Sequence, residues 1–530
     1  MSATEALLQP VLIGCAVAPE GVVDAGHIGF KAHNLARMAS LALPVPPAFV
    51  LGTGWCAQAA RLQAALWRPA LAELERAAGL RFGDERRPLL LSVRSGAPVS
   101  MPGMLETLLN IGLTEGTLPG LLRLTGNPRL VWDAYRRLVA GYGEIVMNVP
   151  ARAFAADLHS IAQGLDEREL DFRQLRELAA LHCATVLRES GEAFPQDTSV
   201  QLAGAIRAVF DSWSAEKART WRAMHDVPEA MGTAVTVQRM VFGNAGGTSG
   251  AGVGFTRHPS TGERQPWVDF LFDAQGEDVV SGRRVAHGHE EFASVLPEAW
   301  KELLDCMDRL ERGMKDMQDF EFTVEEGRLY LLQTRAGKRT PQAAARIALD
   351  LCDEGVIDRR EALERTRTLD GAALSQLQVV QGDGQAPLEP LARAVSACTG
   401  VATGPIALDE AAARACAASG HPAILVRAEA ETADIAALEC AAGLLTMRGA
   451  RTSHAAVVAR QLGKVCLVGC EALDIDLEAK RIRIGSAALS AADTLSLDGN
   501  TGCVYAGEVR TVRTEPAELM RRLEALRAAA

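Results

Sequence analysis

Two carboxylates, an amide and a guanidinium recur at alternate positions in DFEFTVEEGRLYLLQTR, Asp319 to Arg335. Successive side chains of a strand point to opposite faces. In a hairpin turning near Gly327, Phe320, Phe322 and Val324 therefore share one face, and Asp319, Glu321 and Thr323 the other. Tyr330, Leu332 and Thr334 continue the apolar face when paired residue numbers sum to about 654, which sets Glu321 opposite Gln333 and Asp319 opposite Arg335. Such a set can hold a Mg²⁺ ion and the phosphates it bridges. The same pattern also suits an exposed strand pair with charge pairing.

A second group lies near the N-terminus. Lys31 follows HIGF, and in LLLSVRSGAPVSMPGM the apolar run Leu89 to Val93 reads as a strand delivering Arg94 and Ser95 to a loop with Gly96 and Gly103. Cations beside small residues suit phosphates, whose oxygens must approach backbone N–H groups; a surface Lys and a structural Arg would look the same. The glycine-dense stretch Gly243 to Glu263, which contains Arg257, reads as a mobile cradle over phosphates or as a wide loop. No Gly-x-x-x-x-Gly-Lys-Ser/Thr pattern occurs, so a P-loop is excluded.

The third group is MRGARTSHAAVVARQLGKVCLVGC, Met447 to Cys470. Thr452 or Ser453 can cap a helix running through Ala455, Val458 and Leu462 to a stop at Gly463, before a strand Val465 to Val468. His454 then sits in the first turn. A neutral imidazole attacks phosphorus well, and a phosphohistidine there would face free N–H groups and the positive helix end. Arg448 and Arg451 are near enough in sequence to screen the added charge. A surface or capping histidine is the plainer alternative.

These groups need a scaffold, and 530 residues supply it: at roughly 150 residues per domain the length suggests about three to four domains. Apolar residues are 48% and charged residues 23%, which permits globular cores. The net charge of −11 argues against a nucleic-acid or anionic-membrane surface. The eleven cysteines form no Cys-x-x-Cys pair and read as reduced thiols. With no signal-like N-terminus and no apolar run near 18 residues, the expected location is cytoplasmic. Periodicity turns helical over about 150–200 and again from Thr340 to Thr368. Gln381 to Pro390 reads as a linker and hinge, and Glu515 to Ala529 as an amphipathic helix.

Taken together, LSVRSGAPVSMPGMLETLLNIGL, VQRMVFGNAGGTSGAGVGFTRHPSTGE, AQGEDVVSGRR, QDFEFTVEEGRLYLLQTRAGKRT and TSHAAVVARQLGKVCLVGC resemble the motifs of the pyruvate phosphate dikinase family, in its order. The resemblance implies an α/β and α+β multidomain chain. Its parts would be an ATP-grasp-like nucleotide-binding domain over 1–340 with a helical subdomain at about 150–200, a helical segment and linker over 341–390, a small α/β phosphohistidine swivelling domain over 391–510, and a C-terminal helix over 511–530. Carried over by position, the ATP site comprises Lys31, Arg94, Glu277, Asp278, Asp319, Glu321, Gln333 and Arg335. Asp319, Glu321 and Gln333 are the expected Mg²⁺ donors. The expected catalytic set is His454, Arg94, Arg335 and Thr452.

The implied chemistry is attack of His454 on the β-phosphoryl of ATP, loss of AMP, and removal of the terminal phosphoryl by phosphate as pyrophosphate. The turn at Lys31 departs from the family pattern: Gly29-Phe30-Lys31-Ala32 carries side chains where the family has two glycines. The family's C-terminal pyruvate-binding barrel has no counterpart in these residues, so the expected acceptor is pyruvate or another molecule held by a separate barrel protein. The alternative is a non-catalytic nucleotide-binding regulator. Oligomeric state, homo-oligomer included, stays open.

Overall fold

The computed structural model describes residues 8–15, 23–61, 63–99, 101, 104–280, 288–380, 388–430, 434–449, 451, 454–491 and 493–528. The chain divides into two compact units, 1–249 with 324–334, and 250–323 with 335–530.

The first unit is built on β1 (Val11–Ile13), α1 (Ala25–Ser40), β2 (Ala48–Leu51), β3 (Leu91–Gly96) and β4 (Thr107–Ile111). Helices α2 (Pro128–Ile145), α3 (Ala151–Ala162), α4 (Phe172–Ser190) and α5 (Thr198–Asp211) follow, then β5 (Ala234–Arg239). The sheet runs β1-β2-β5-β3-β4. Leu91, Val93, Val235 and Val237 are buried in a core shared with Leu138, Val139, Leu202 and Ile206 of the helices. The helical stretch is thus longer than the periodicity about 150–200 indicates, because α2 and α5 also pack on this core.

The second unit begins with β6 (Gly250–Phe255), β7 (Trp267–Phe272), α6 (Gly276–Val280) and α7 (Pro297–Met314). The hairpin β8 (Gln318–Glu325) and β9 (Arg328–Ala336), whose residues 324–334 are counted with the first unit, belongs to a sheet of order β9-β8-β6-β7, and α8 (Pro341–Asp353) follows. The glycine-dense segment is not all loop. Gly250, Gly252 and Gly254 are alternate residues of β6, and a β-carbon on them would stand 2.2, 2.3 and 2.8 Å from ring atoms of Phe270, Phe322 and Phe320. These glycines make room for aromatic rings, a close-packing use of glycine in a strand.

The rest of this unit is a sheet of β10 (Ala392–Arg393), β11 (Val395–Cys398), β12 (Val401–Ala407), β13 (Ile424–Arg427), β14 (Gly443–Thr446), then α9 (His454–Gln461), β15 (Val465–Val468), β16 (Thr494–Asp498) and β17 (Cys503–Ala506). Its order is β10-β17-β16-β12-β13-β14-β15-β11, with β12, β13, β14 and β15 parallel. Parallel strands buried on both faces read as continuous apolar runs, which Leu444, Leu445, Cys466 and Leu467 illustrate. The terminal helix α10 (Ala517–Ala528) buries Leu519 and Leu523. Of the expected linker, residues 381–387 lie outside the described residues. No helix among the described residues is long and apolar enough to cross a membrane.

Candidate functional site

In the first unit the Lys31 and Arg94 segments meet. Gly29 interrupts α1 with φ 78° and ψ 157°, a region that only glycine enters readily. A β-carbon there would stand 1.8 Å from the Gly96 carbonyl oxygen. The Phe30 N–H donates to the Ala97 carbonyl at 3.0 Å, fastening the turn to the end of β3. Of the altered turn, Ala32 is buried and Phe30 is 37% exposed. Lys31 is exposed on α1.

Arg94 is half-buried within β3, not on a following loop, because the strand continues to Gly96. Among the described residues it makes no ion pair. Asn34, one helical turn beyond Lys31 and therefore on its side of α1, is buried and donates to the Thr334 carbonyl at 2.8 Å. That bond ties α1 to β9 next to Gln333, which is half-buried. Asn34 was detectable as a polar residue on the buried stripe of an amphipathic helix.

In the second unit Arg335 Nε lies 2.7 Å from Asp319 Oδ2, the pairing the hairpin register requires. Both faces of β8 are covered, contrary to the expected split: Asp319 and Thr323 are buried along with Phe320, Phe322 and Val324. As an inner strand, β8 also has both edges paired, with β9 and β6. Burial pushes the Asp319 carboxyl above the usual range, against the pull of Arg335. Glu321 is half-buried two residues on. Asp278 accepts the Gln275 N–H at 2.9 Å and so closes the start of α6; Glu277 belongs to the same helix and is described by its backbone alone.

His454 opens α9, with Gly463 at φ 65° before β15, as the pattern requires; its side chain is outside the description, and Thr452 lies outside the described residues. Two expected roles change. Arg451 does not stand free to screen His454: its Nε pairs with Asp269 at 2.8 Å, Nη2 donates to the Val268 carbonyl at 3.1 Å, and the guanidinium carbon lies 3.9 Å from the Trp267 ring centroid. Arg257 is fully buried among Glu311, Asp350 and Glu354 at 2.8, 3.0 and 3.0 Å, so its charge is consumed inside the protein rather than by phosphate. Asp269 escaped the sequence reading; its signal is a lone carboxylate in the apolar strand WVDFLF, since a buried charge needs a partner.

Among the described residues no group of three or more His, Cys, Asp or Glu side chains could hold a metal by itself. Asp319 and Glu321 offer two carboxylates, which fits Mg²⁺, an ion usually bound by one or two carboxylates plus substrate phosphates.

Two family models match the chain: pyruvate phosphate dikinase, AMP/ATP-binding domain, over residues 59–289 and 284–355, and PEP-utilising enzyme, mobile domain, over 420–502. They set the class, an AMP/ATP-binding domain followed by a mobile domain. Pyruvate, phosphate dikinase of Clostridium symbiosum is 42% identical over 91% of this chain and 56% of its own length. The Rhizobium meliloti enzyme is 40% identical over 95% of this chain and 58% of its own length, and pyruvate, phosphate dikinase 2 of Oryza sativa 42% over 91% and 55%. The chain belongs to the pyruvate phosphate dikinase family, and it spans about half the length of the curated relatives it matches.

Proposed function

We propose that this chain carries out the nucleotide half of a dikinase reaction. His454 attacks the β-phosphorus of ATP, the bond from that phosphorus to the AMP oxygen breaks, and AMP leaves. Inorganic phosphate then takes the terminal phosphoryl as pyrophosphate, leaving phosphohistidine. The observation that carries this reading is the Asp319–Arg335 pair at 2.7 Å, with Asp319 buried and its carboxyl held above the usual range. Arg335 and Arg460 both oppose the effect of burial on this carboxyl, which gains from a further cation.

Such transfers proceed mainly by positioning and charge neutralisation. Arg335 and Arg94 neutralise phosphate oxygens, and Lys31 adds charge beside the Gly29 turn. Asp319, Glu321 and Gln333 would hold Mg²⁺, which would supply charge neutralisation for the phosphates. Glu277 and Asp278 orient the nucleotide, and Thr452 assists His454 in the transfer. The phosphohistidine then serves pyruvate or another small acceptor held by a separate barrel protein.

The test is product analysis with ATP, Mg²⁺ and phosphate. AMP and pyrophosphate in equal amounts, up to one per chain without acceptor and lost in His454→Ala, support the reading. Tight ATP binding with no AMP would instead make the chain a nucleotide-binding regulator.

A further inference from the structure

Arg460, near the end of α9, is 2% exposed although arginine is among the residues least often buried. Its Nε and Nη2 both donate to the Ala397 carbonyl in β11, at 3.2 and 2.8 Å, and Nη2 also reaches the Arg451 carbonyl at 3.3 Å. The guanidinium carbon lies 5.2 Å from the Phe255 ring of β6. Nη1 is buried and has no hydrogen-bond partner among the described residues. A core position alone would favour an apolar side chain, because a buried cation is costly unless its location does something.

The location is informative. Arg451 grips β7 through the buried Asp269, the Val268 carbonyl and the Trp267 ring. Arg460 grips the backbone of that same Arg451. The chain between them carries His454, whose Cα is within about 11 Å of the Arg451 Cα by the reach of three residues. Arg451 thus ties the segment before α9 to β7, in the sheet that carries Asp319, and Arg460 at the far end of α9 lies against Phe255 of the same sheet while its hydrogen bonds go to Ala397 of β11 and to Arg451.

We propose that Arg460 is a positioning residue for phosphorylation of His454, acting in series with the Arg451–Asp269 clamp. Arg460 fixes the Arg451 backbone, Arg451 fixes that point to β7, and the first turn of α9 is thereby held in one place relative to the Asp319–Arg335 pair. This rests on the proposed nucleotide half-reaction and names residues that reading does not use.

The experiment compares Arg460→Met, Arg460→Lys, Arg451→Met and the Arg451→Met/Arg460→Met double variant in the full chain. Three quantities are read: ATP affinity, single-turnover His454 phosphorylation, and amide exchange in 267–272 and 454–461. Both single Met variants should slow phosphorylation at least tenfold with ATP affinity within twofold, and should raise exchange in both segments. Arg460→Lys, which keeps the charge and one donor, should recover part of the rate. Because the two act in series, the double variant should be no slower than the slower single one. Arg451→Met changes a partly exposed side chain and so keeps the test open if Arg460→Met fails to fold. Wild-type rates in folded single variants, or losses that multiply in the double variant, overturn the proposal while leaving the half-reaction intact. A wild-type chain that forms no phosphohistidine overturns both.

Discussion

Gly29 and Gly96 touch so closely that a single methyl group on Gly29 would stand 1.8 Å from the Gly96 carbonyl oxygen. Lys31 lies two residues after one glycine and Arg94 two before the other, so this contact sets how two cations are presented. Gly29→Ala brings both a clash and a backbone angle of φ 78° that alanine resists. The expected result is a loss of about 2 kcal/mol or more in urea unfolding, with a weaker ATP affinity in titration calorimetry of the remaining folded protein.

The Asp319–Arg335 pair should matter for phosphate chemistry far more than for stability. Arg335 keeps 45% side-chain exposure, so solvent screens it when its partner is neutralised, and Asp319→Asn should change stability by less than about 1 kcal/mol. His454 phosphorylation, by contrast, should fall about 10²–10³-fold. Arg335→Lys keeps the charge but not the planar fork and should fall between wild type and Arg335→Ala. Quench-flow rates alongside unfolding curves check both halves.

Arg257→Met gives the opposite signature. Removing the guanidinium leaves the buried Glu311 without its ion-pair partner, a change that costs about 3–5 kcal/mol. Asp350 retains Arg522 at 2.7 Å and Glu354 retains Arg264 at 3.8 Å, so the loss falls mainly on Glu311. ATP affinity of the folded fraction should be unchanged; a large affinity loss with normal stability would return Arg257 to the phosphate site.

His258 makes stability depend on acid. Burial pushes its imidazole down to about 4 from 6.5, with Arg451 and Arg460 acting in the same direction and Glu263 against them. The Ser260 and Thr261 N–H groups donate to Nδ1 at 3.1 and 3.2 Å, so that nitrogen must stay unprotonated. The unfolded chain binds this proton from about 6.5 downward and the folded chain only near 4. The contribution is therefore complete above 6.5 and is lost as pH falls from 6.5 to 4. Melting temperatures between pH 7.5 and 5 should fall less in His258→Gln than in wild type.

The sequence made the hairpin legible because period-two patterning and a single register fix four polar residues at once, and Asp319 meets Arg335 as that register demands. The helix from His454 and the strand Val465–Val468 were legible through a glycine stop. What stayed hidden needed partners distant in sequence. Nothing near Arg451 announces that Asp269 will take its charge, and nothing near Asn34 announces the Thr334 carbonyl. Glycine density misled at β6 because two causes of glycine, loop freedom and room for a neighbouring ring, look alike until Phe320, Phe322 and Phe270 are in place.

The most direct measurement is incubation with ATP labelled at the β-phosphorus, Mg²⁺ and phosphate, followed by peptide mapping under alkaline conditions. The expected result is acid-labile label on the peptide containing His454, approaching one per chain and absent in His454→Ala. Label elsewhere, or none despite measurable ATP binding, would contradict the assignment of His454 as the phosphoryl carrier.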